Sequence, residues 1–128
     1  MKTTTLQLLP TTTYGTPSGN YDGSSLDFAG VPQKAANYYG GFGSLQTIAF
    51  FLEHFYGTIQ IEASLESNPS TDQDWFRVDQ LSTIDDSSLD SSLTTINISH
   101  NITGNFTWIR ARVLNFDNGT IFKVMMSY

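Results

Sequence analysis

No cysteine occurs in the 128 residues, which excludes disulfide staples, thiolate nucleophiles and cysteine-bound metals. Charge is also scarce. Charged residues make up 14% of the chain, and six Lys and Arg against twelve Asp and Glu leave a net charge of −6. With a pI near 4.5, the chain has the wrong sign for a nucleic-acid partner, whose affinity rests on neutralising phosphates. The longest apolar run, Ile48 to Leu52, falls far short of the ~20 residues a membrane-spanning helix needs, so no membrane partner is expected. Residues 1–10 lack the apolar stretch of a signal peptide, and a cleaved export signal is not expected either. Two histidines are present, His54 and His100, and neither sits in a nucleophile motif such as Gly-x-Ser-x-Gly.

What the chain does contain is Ser, Thr and aromatic residues, the last at 13%. That composition favours strands over helices. Ile59, Ile61, Ala63 and Leu65 alternate with Gln60, Glu62, Ser64 and Glu66, as in a strand with one face buried and one in water. Residues 3–9, Trp75–Val78 and Ile96–His100 read as further short strands. Residues 45–56 have helical spacing at Ile48, Phe51, Leu52 and Phe55, but their β-branched and aromatic content favours a buried strand. Asn118-Gly119, between two β-rich runs, predicts a two-residue type I′ hairpin. Its register would place Val113 opposite Val124 and Asn115 opposite Phe122. One face would then carry Ile109, Ala111, Val113, Phe122, Val124, Met126 and Tyr128 into the core, and the other would carry Trp108, Arg110, Arg112, Leu114, Ile121, Lys123 and Met125.

Residues 10–43 differ in kind. They hold seven of the ten glycines together with the aromatics Tyr14, Tyr21, Phe28, Tyr38, Tyr39 and Phe42. Glycine and proline break any long element here, while the aromatics need a surface to cover. The reading is an extended arm, packed on its own domain or on a neighbour. The expected architecture is therefore all-β: an antiparallel β-sandwich, jelly-roll or immunoglobulin-like, of about seven to eight strands (residues 44–128) with an extended Gly/aromatic-rich N-terminal arm (residues 1–43).

Candidate chemistry is sparse. Eight of the twelve acids lie between Glu62 and Asp90, yet Asp72, Asp74, Asp85, Asp86 and Asp90 match no calcium-loop spacing and read as a solvated acidic loop. No metal or other cofactor is expected. Glu53, Glu62 and Glu66 could pair as glycosidase carboxylates, but Glu62 and Glu66 fall on the polar side of a strand. Four Asn-x-Ser/Thr triplets begin at Asn97, Asn101, Asn105 and Asn118; Asn118 is better explained by its turn. Trp108, Arg110 and Arg112 admit two readings. The arginine stems could lie over Trp108 with their heads on the acidic loop, or the three could form a contact surface, since Trp and Arg abound among binding hot spots. The candidate interface set is Tyr14, Tyr21, Phe28, Tyr38, Tyr39, Trp108, Arg110, Arg112 and Lys123. Sugar stacking on Trp75, Trp108 or the arm tyrosines is a further option.

Leu45-Gln46-Thr47-Ile48, Gly57 to Glu66, Asp74-Trp75-Phe76, Trp108 to Val113 and Asn118 to Ile121 together resemble a module of tailed-phage virion structural proteins, especially those of T4-like phages of cyanobacteria. The resemblance covers residues 44–128. It implies a non-enzymatic β-sandwich subunit without a cofactor, located in the virion as a capsid decoration or a neck or tail component. Its partners would be other virion proteins and copies of itself. A carbohydrate-binding module that recognises a host surface glycan is the alternative.

Overall fold

The computed structural model describes residues 4–38, 44–82 and 95–128. The chain is all-β and antiparallel, the described residues forming eight strands in one hydrogen-bonded sheet. Two strands of 20 residues form its spine, β5 (Leu45–Ser64) and β8 (Trp108–Ser127), and they pair with each other along almost their whole length. The first part of β5 also pairs with β7 (Ile96–Thr103), and its second part with β6 (Phe76–Ser82). The segments expected at 45–56 and 57–66 are thus a single strand.

The expected hairpin at Asn118-Gly119 does not form. Val113 pairs with Ile59 and Val124 with Phe50, so both halves of β8 run beside β5 rather than beside each other. A type I′ turn needs positive φ at both central residues, and of this pair Gly119 alone has it, at 91°. A Cβ on Gly119 would collide with the His54 carbonyl oxygen, so its glycine serves a close approach between strands rather than a reversal.

The spine bends instead. The β5–β8 register slips between Glu53, Tyr56 and Thr58, and each strand carries a left-handed residue at this point, His54 (φ 52°) and Asn115 (φ 54°). Each bulge interrupts the two-residue alternation and turns the next side chain inward. Phe55 and Phe116 are consequently both fully buried. On either side of the corner the spine faces one core: Ile48, Phe50, Leu52, Ile121, Val124 and Met126 from one half, and Ile59, Ile61, Ala63, Ile109, Ala111 and Val113 from the other. The bent sheet thereby supplies both layers of the sandwich. His100 Nδ1 and Asp79 Oδ2, 2.6 Å apart, join β7 of one layer to β6 of the other. Tyr128 Oη donates to the Lys34 carbonyl oxygen at 2.9 Å and ties the layers at the end away from the corner.

The N-terminal segment is part of this construction. β1 (Thr5–Leu9) and β2 (Thr12–Thr13) pair with the last part of β8, and β3 (Phe28–Ala29) and β4 (Gln33–Lys34) with its first part. Residues 5–34 thus form an interrupted outer strand along β8 that passes from one layer to the other. Leu8, Leu9, Tyr21, Phe28 and Ala35 are buried in the common core. Gly30 lies so close to Leu8 that any Cβ would strike the Leu8 carbonyl oxygen. Between β2 and β3 a loop crosses the corner, where Asp22 accepts hydrogen bonds from Ser24 and Ser25. Those bonds, led by the Ser24 backbone N–H, lower its pKa to about 2.

Phe116 is the hub of the corner. Its ring centroid lies 5.2 Å from Tyr21, 5.9 Å from Phe28, 5.7 Å from Phe55 and 5.7 Å from Tyr14. Three of these rings come from the segment expected as an arm. Phe116→Ala should lower unfolding stability by about 3–5 kcal/mol, read from the midpoint of urea denaturation. A loss below about 1 kcal/mol would show that the corner does not depend on this ring.

Candidate functional site

On the second layer, the outer face is organised by Arg110, which pairs across the strands with Glu62. Its Nε donates to Glu62 Oε1 at 2.7 Å and its Nη2 to Asp72 Oδ1 at 3.1 Å. The guanidinium carbon lies 4.4 Å from the centre of the Trp75 ring. Asp72 belongs to a single 3-10 turn (Asp72–Asp74) between β5 and β6. Asp74 closes that turn by accepting from the Ser70 and Thr71 backbone N–H groups, bonds that hold its carboxyl below the ordinary carboxylate range. Arg112 reaches the same Asp72 oxygen at 3.7 Å.

Next to this group, Trp108 Nε1 donates to the Ser67 carbonyl oxygen at 3.2 Å. The Tyr38 ring stands edge-on to Trp108 at 5.1 Å, and Lys34 Nζ sits 4.7 Å from the Tyr38 ring centre. The cluster is an intramolecular stack, with Arg110 on Trp75 rather than on Trp108.

The candidate contact residues therefore separate. Tyr21 and Phe28 are core residues, because the corner loop folds their rings onto Phe116. Arg110 is 9% exposed, since Glu62, Asp72 and Trp75 enclose it, so none of these three is a free contact residue. Trp108, Tyr38 and Arg112 are half-buried within the stack, while Tyr14 and Lys123 are exposed, with Lys123 Nζ 5.0 Å from the Phe51 ring centre. Tyr39 lies outside the described residues, as do Asp85, Asp86 and Asp90 of the acidic loop. Within the predicted hairpin faces two residues exchange roles. Phe51 faces Lys123 and Leu52 faces Ile121, which leaves Phe122 as the extra residue of a bulge. Ile121 is therefore buried and Phe122 exposed. Tyr128 is half-buried rather than a core residue, because its hydroxyl reaches out to Lys34.

No protein-family model and no curated protein matches the chain. Among solved structures it is similar to the K2 cleaved adhesin domain of Lys-gingipain, at 8% identity and a TM-score of 0.41, over 75% of this chain and 57% of that one. The chain thus spans little more than half the length of that domain. Nothing about function transfers at that level of similarity.

Two surface features lie beyond what strand patterning indicated. The first is at the end of the sandwich away from the corner, where residues 104–107 cross from β7 to β8. Gly104 N–H donates to the Ser44 carbonyl oxygen, Thr107 N–H to that of Ser64, and the Thr107 hydroxyl to that of Leu65. Around this strap Leu45, Leu65 and Phe76 are 53%, 65% and 40% exposed, and the Phe106 ring lies 6.0 Å from Phe76. Leu65 continues the apolar alternation of β5, but the strand ends at Ser64 and its side chain stays outside. The second feature is an open concavity of about 950 Å³ on the outside of the corner, bordered by Tyr14, Glu53, His54, Tyr56, Asp117 and Asn118. They come from three segments far apart in sequence, which the pairing of β5, β8 and the N-terminal segment brings together.

Glu62 is 13% exposed at its side chain, so Arg110→Ala would leave a nearly buried carboxylate without its partner, at a cost of about 3 kcal/mol. Arg112→Ala breaks a pair whose acid is largely in water and should cost under about 1 kcal/mol. Chemical denaturation of both variants checks the difference; equal losses would contradict the assignment.

Proposed function

We propose that the chain is a non-enzymatic structural subunit of a tailed-phage virion, a capsid decoration or a neck or tail component. It docks on other virion proteins and on copies of itself. The observation that carries this reading is the apolar rim of Leu45, Leu65 and Phe76 around the 104–107 strap. Exposed aliphatic and aromatic side chains held on fixed backbone suit a partner surface, because little conformational entropy is lost when they are covered. The resemblance of residues 44–128 to virion proteins points the same way. Docking in this reading proceeds through the sheet end and the sheet surface, not through a free arm, since residues 5–34 are engaged along β8. The titratable groups also favour a structural role: His100 is engaged by Asp79, and Glu62 by Arg110.

Glycan recognition through Trp75, Trp108 or the arm tyrosines Tyr14, Tyr21, Tyr38 and Tyr39 has weaker support at Trp75, Trp108, Tyr21 and Tyr38. Arg110 covers a face of Trp75, Trp108 and Tyr38 pack on each other, and Tyr21 is buried.

Leu65→Asp and Phe76→Ser should leave the circular dichroism spectrum and the melting temperature nearly unchanged, because both side chains lie outside the core. Incorporation of these variants into particles, measured by mass spectrometry of purified virions from cells that express them, should fall by about tenfold or more. Incorporation at the wild-type level would refute docking through this rim, and absence of the wild-type chain from virions would refute the virion role itself.

A further inference from the structure

We propose that the concavity at the corner is a binding site for a neutral saccharide of about two hexose units. It lies at the bend in the middle of the long strands, away from the strap at their ends, so it stands independently of the docking surface.

The site follows from the bend. Tyr56 pairs with Asn118, and Glu53 with Thr120, across β5 and β8. Thr120 pairs in turn with Thr13 of β2, and the Tyr14 N–H donates to the Gly119 carbonyl oxygen at 2.9 Å. The two tyrosines thus stand to either side of β8, Tyr56 on β5 and Tyr14 in the turn that follows β2, separated by two strand spacings, roughly 10 Å. That is close to the length of a disaccharide. Tyr14 is 46% and Tyr56 37% exposed, so both rings offer surface to a ligand. Tyr14 is also held in place from behind, its ring meeting the buried Phe116 edge-on.

Apart from the tyrosines and Gly119 the lining residues are polar: Thr13, Glu53, His54, Asp117, Asn118 and Thr120. A sugar ring presents apolar C–H faces and a rim of hydroxyls. The tyrosines suit the faces, and the carboxylates accept hydrogen bonds from the hydroxyls, the stronger for their charge. Such a mixture of a few fixed polar groups with aromatic surface is the usual make-up of small-ligand sites.

The charge selects the class of sugar. Among the described residues two carboxylates and no Lys or Arg border the concavity, which disfavours phosphates, sialic acids and uronic acids. A metal is not indicated, since no group of three or more His, Asp or Glu suited to hold one occurs among the described residues. The backbone is set in advance by the left-handed His54 and by Gly119, and non-glycine residues in that conformation are over-represented at functional sites.

The test is an amide NMR titration of the full chain with maltotriose, cellotriose and triacetylchitotriose as neutral probes, 3′-sialyllactose as an acidic one and a hexa-arginine peptide as a cationic one. At least one neutral trisaccharide should shift the signals of residues 13–14, 53–56 and 117–120 saturably, with the two charged probes without effect there. Tyr56→Ala should weaken that binding on the order of tenfold. Glu53→Gln, which keeps the shape of the side chain and serves if Tyr56→Ala disturbs the fold, should weaken it as well, with the melting temperature unchanged. The proposal is overturned if none of the neutral probes shifts these signals, if both variants bind like the wild type, or if the peptide or sialyllactose alone occupies the corner.

Discussion

The fold depends on a backbone constraint that appears twice. His54 in β5 and Asn115 in β8 adopt left-handed conformations at neighbouring points of the paired strands, and each is followed by a phenylalanine that turns into the core. A regular strand of 20 residues would keep its alternate side chains on one flat face, with nothing to cover it. A coordinated bulge in both long strands bends the ladder without breaking it, and the two halves of a single sheet then cover each other. The left-handed conformation is costly for a residue with a Cβ, of order 1–3 kcal/mol. Burial of Phe55 and Phe116, with the Tyr21 and Phe28 rings packed on Phe116, offsets that cost.

Several features are consequences of the bend. The N-terminal segment has a continuous β8 edge to pair with, passing from one layer to the other, and its aromatic residues fill the corner it crosses. His100 and Asp79 meet because β7 and β6 border opposite halves of the same strand. Arg110 is enclosed because the link between β5 and β6 returns Asp72 and Trp75 over the outer face of the second layer. The outer side of the corner is left open and polar, and the far end is closed by the strap with its apolar rim.

Much of the strand content was legible in the residues, since alternation in Ile59 to Ala63 and in Ile96 to Ile98 reports burial on one face directly. The inward set Ile109, Ala111, Val113, Val124 and Met126 was legible for the same reason, and it does not depend on which strand is the neighbour. The neighbour itself was not legible. Asn-Gly signals a capacity for positive φ, and a reversal and a close strand approach both draw on that capacity. Alternation also fails wherever a bulge adds a residue, which is why Ile121 was expected outside and Phe122 inside. The Gly- and aromatic-rich segment reads as an arm because its strands β2, β3 and β4 are two residues long, too short for periodicity to register. Of the surface features, the Trp and Arg cluster was visible with a closed and an open reading; the arginine heads do lie on Asp72, but the ring under Arg110 is Trp75 and not Trp108. The corner residues Glu53, His54, Tyr56 and Asp117 converge only through long-range pairing, and their spacing in the sequence gives no sign of it.

The claim on which all of this rests is that β8 runs as one bent strand beside β5. Backbone NOEs on the isotopically labelled chain test it most directly. The account predicts cross-strand contacts between Val113 and Ile59 and between Val124 and Phe50. A Val113–Val124 contact across a turn at Asn118-Gly119, with the Ile59 and Phe50 contacts missing, would contradict it.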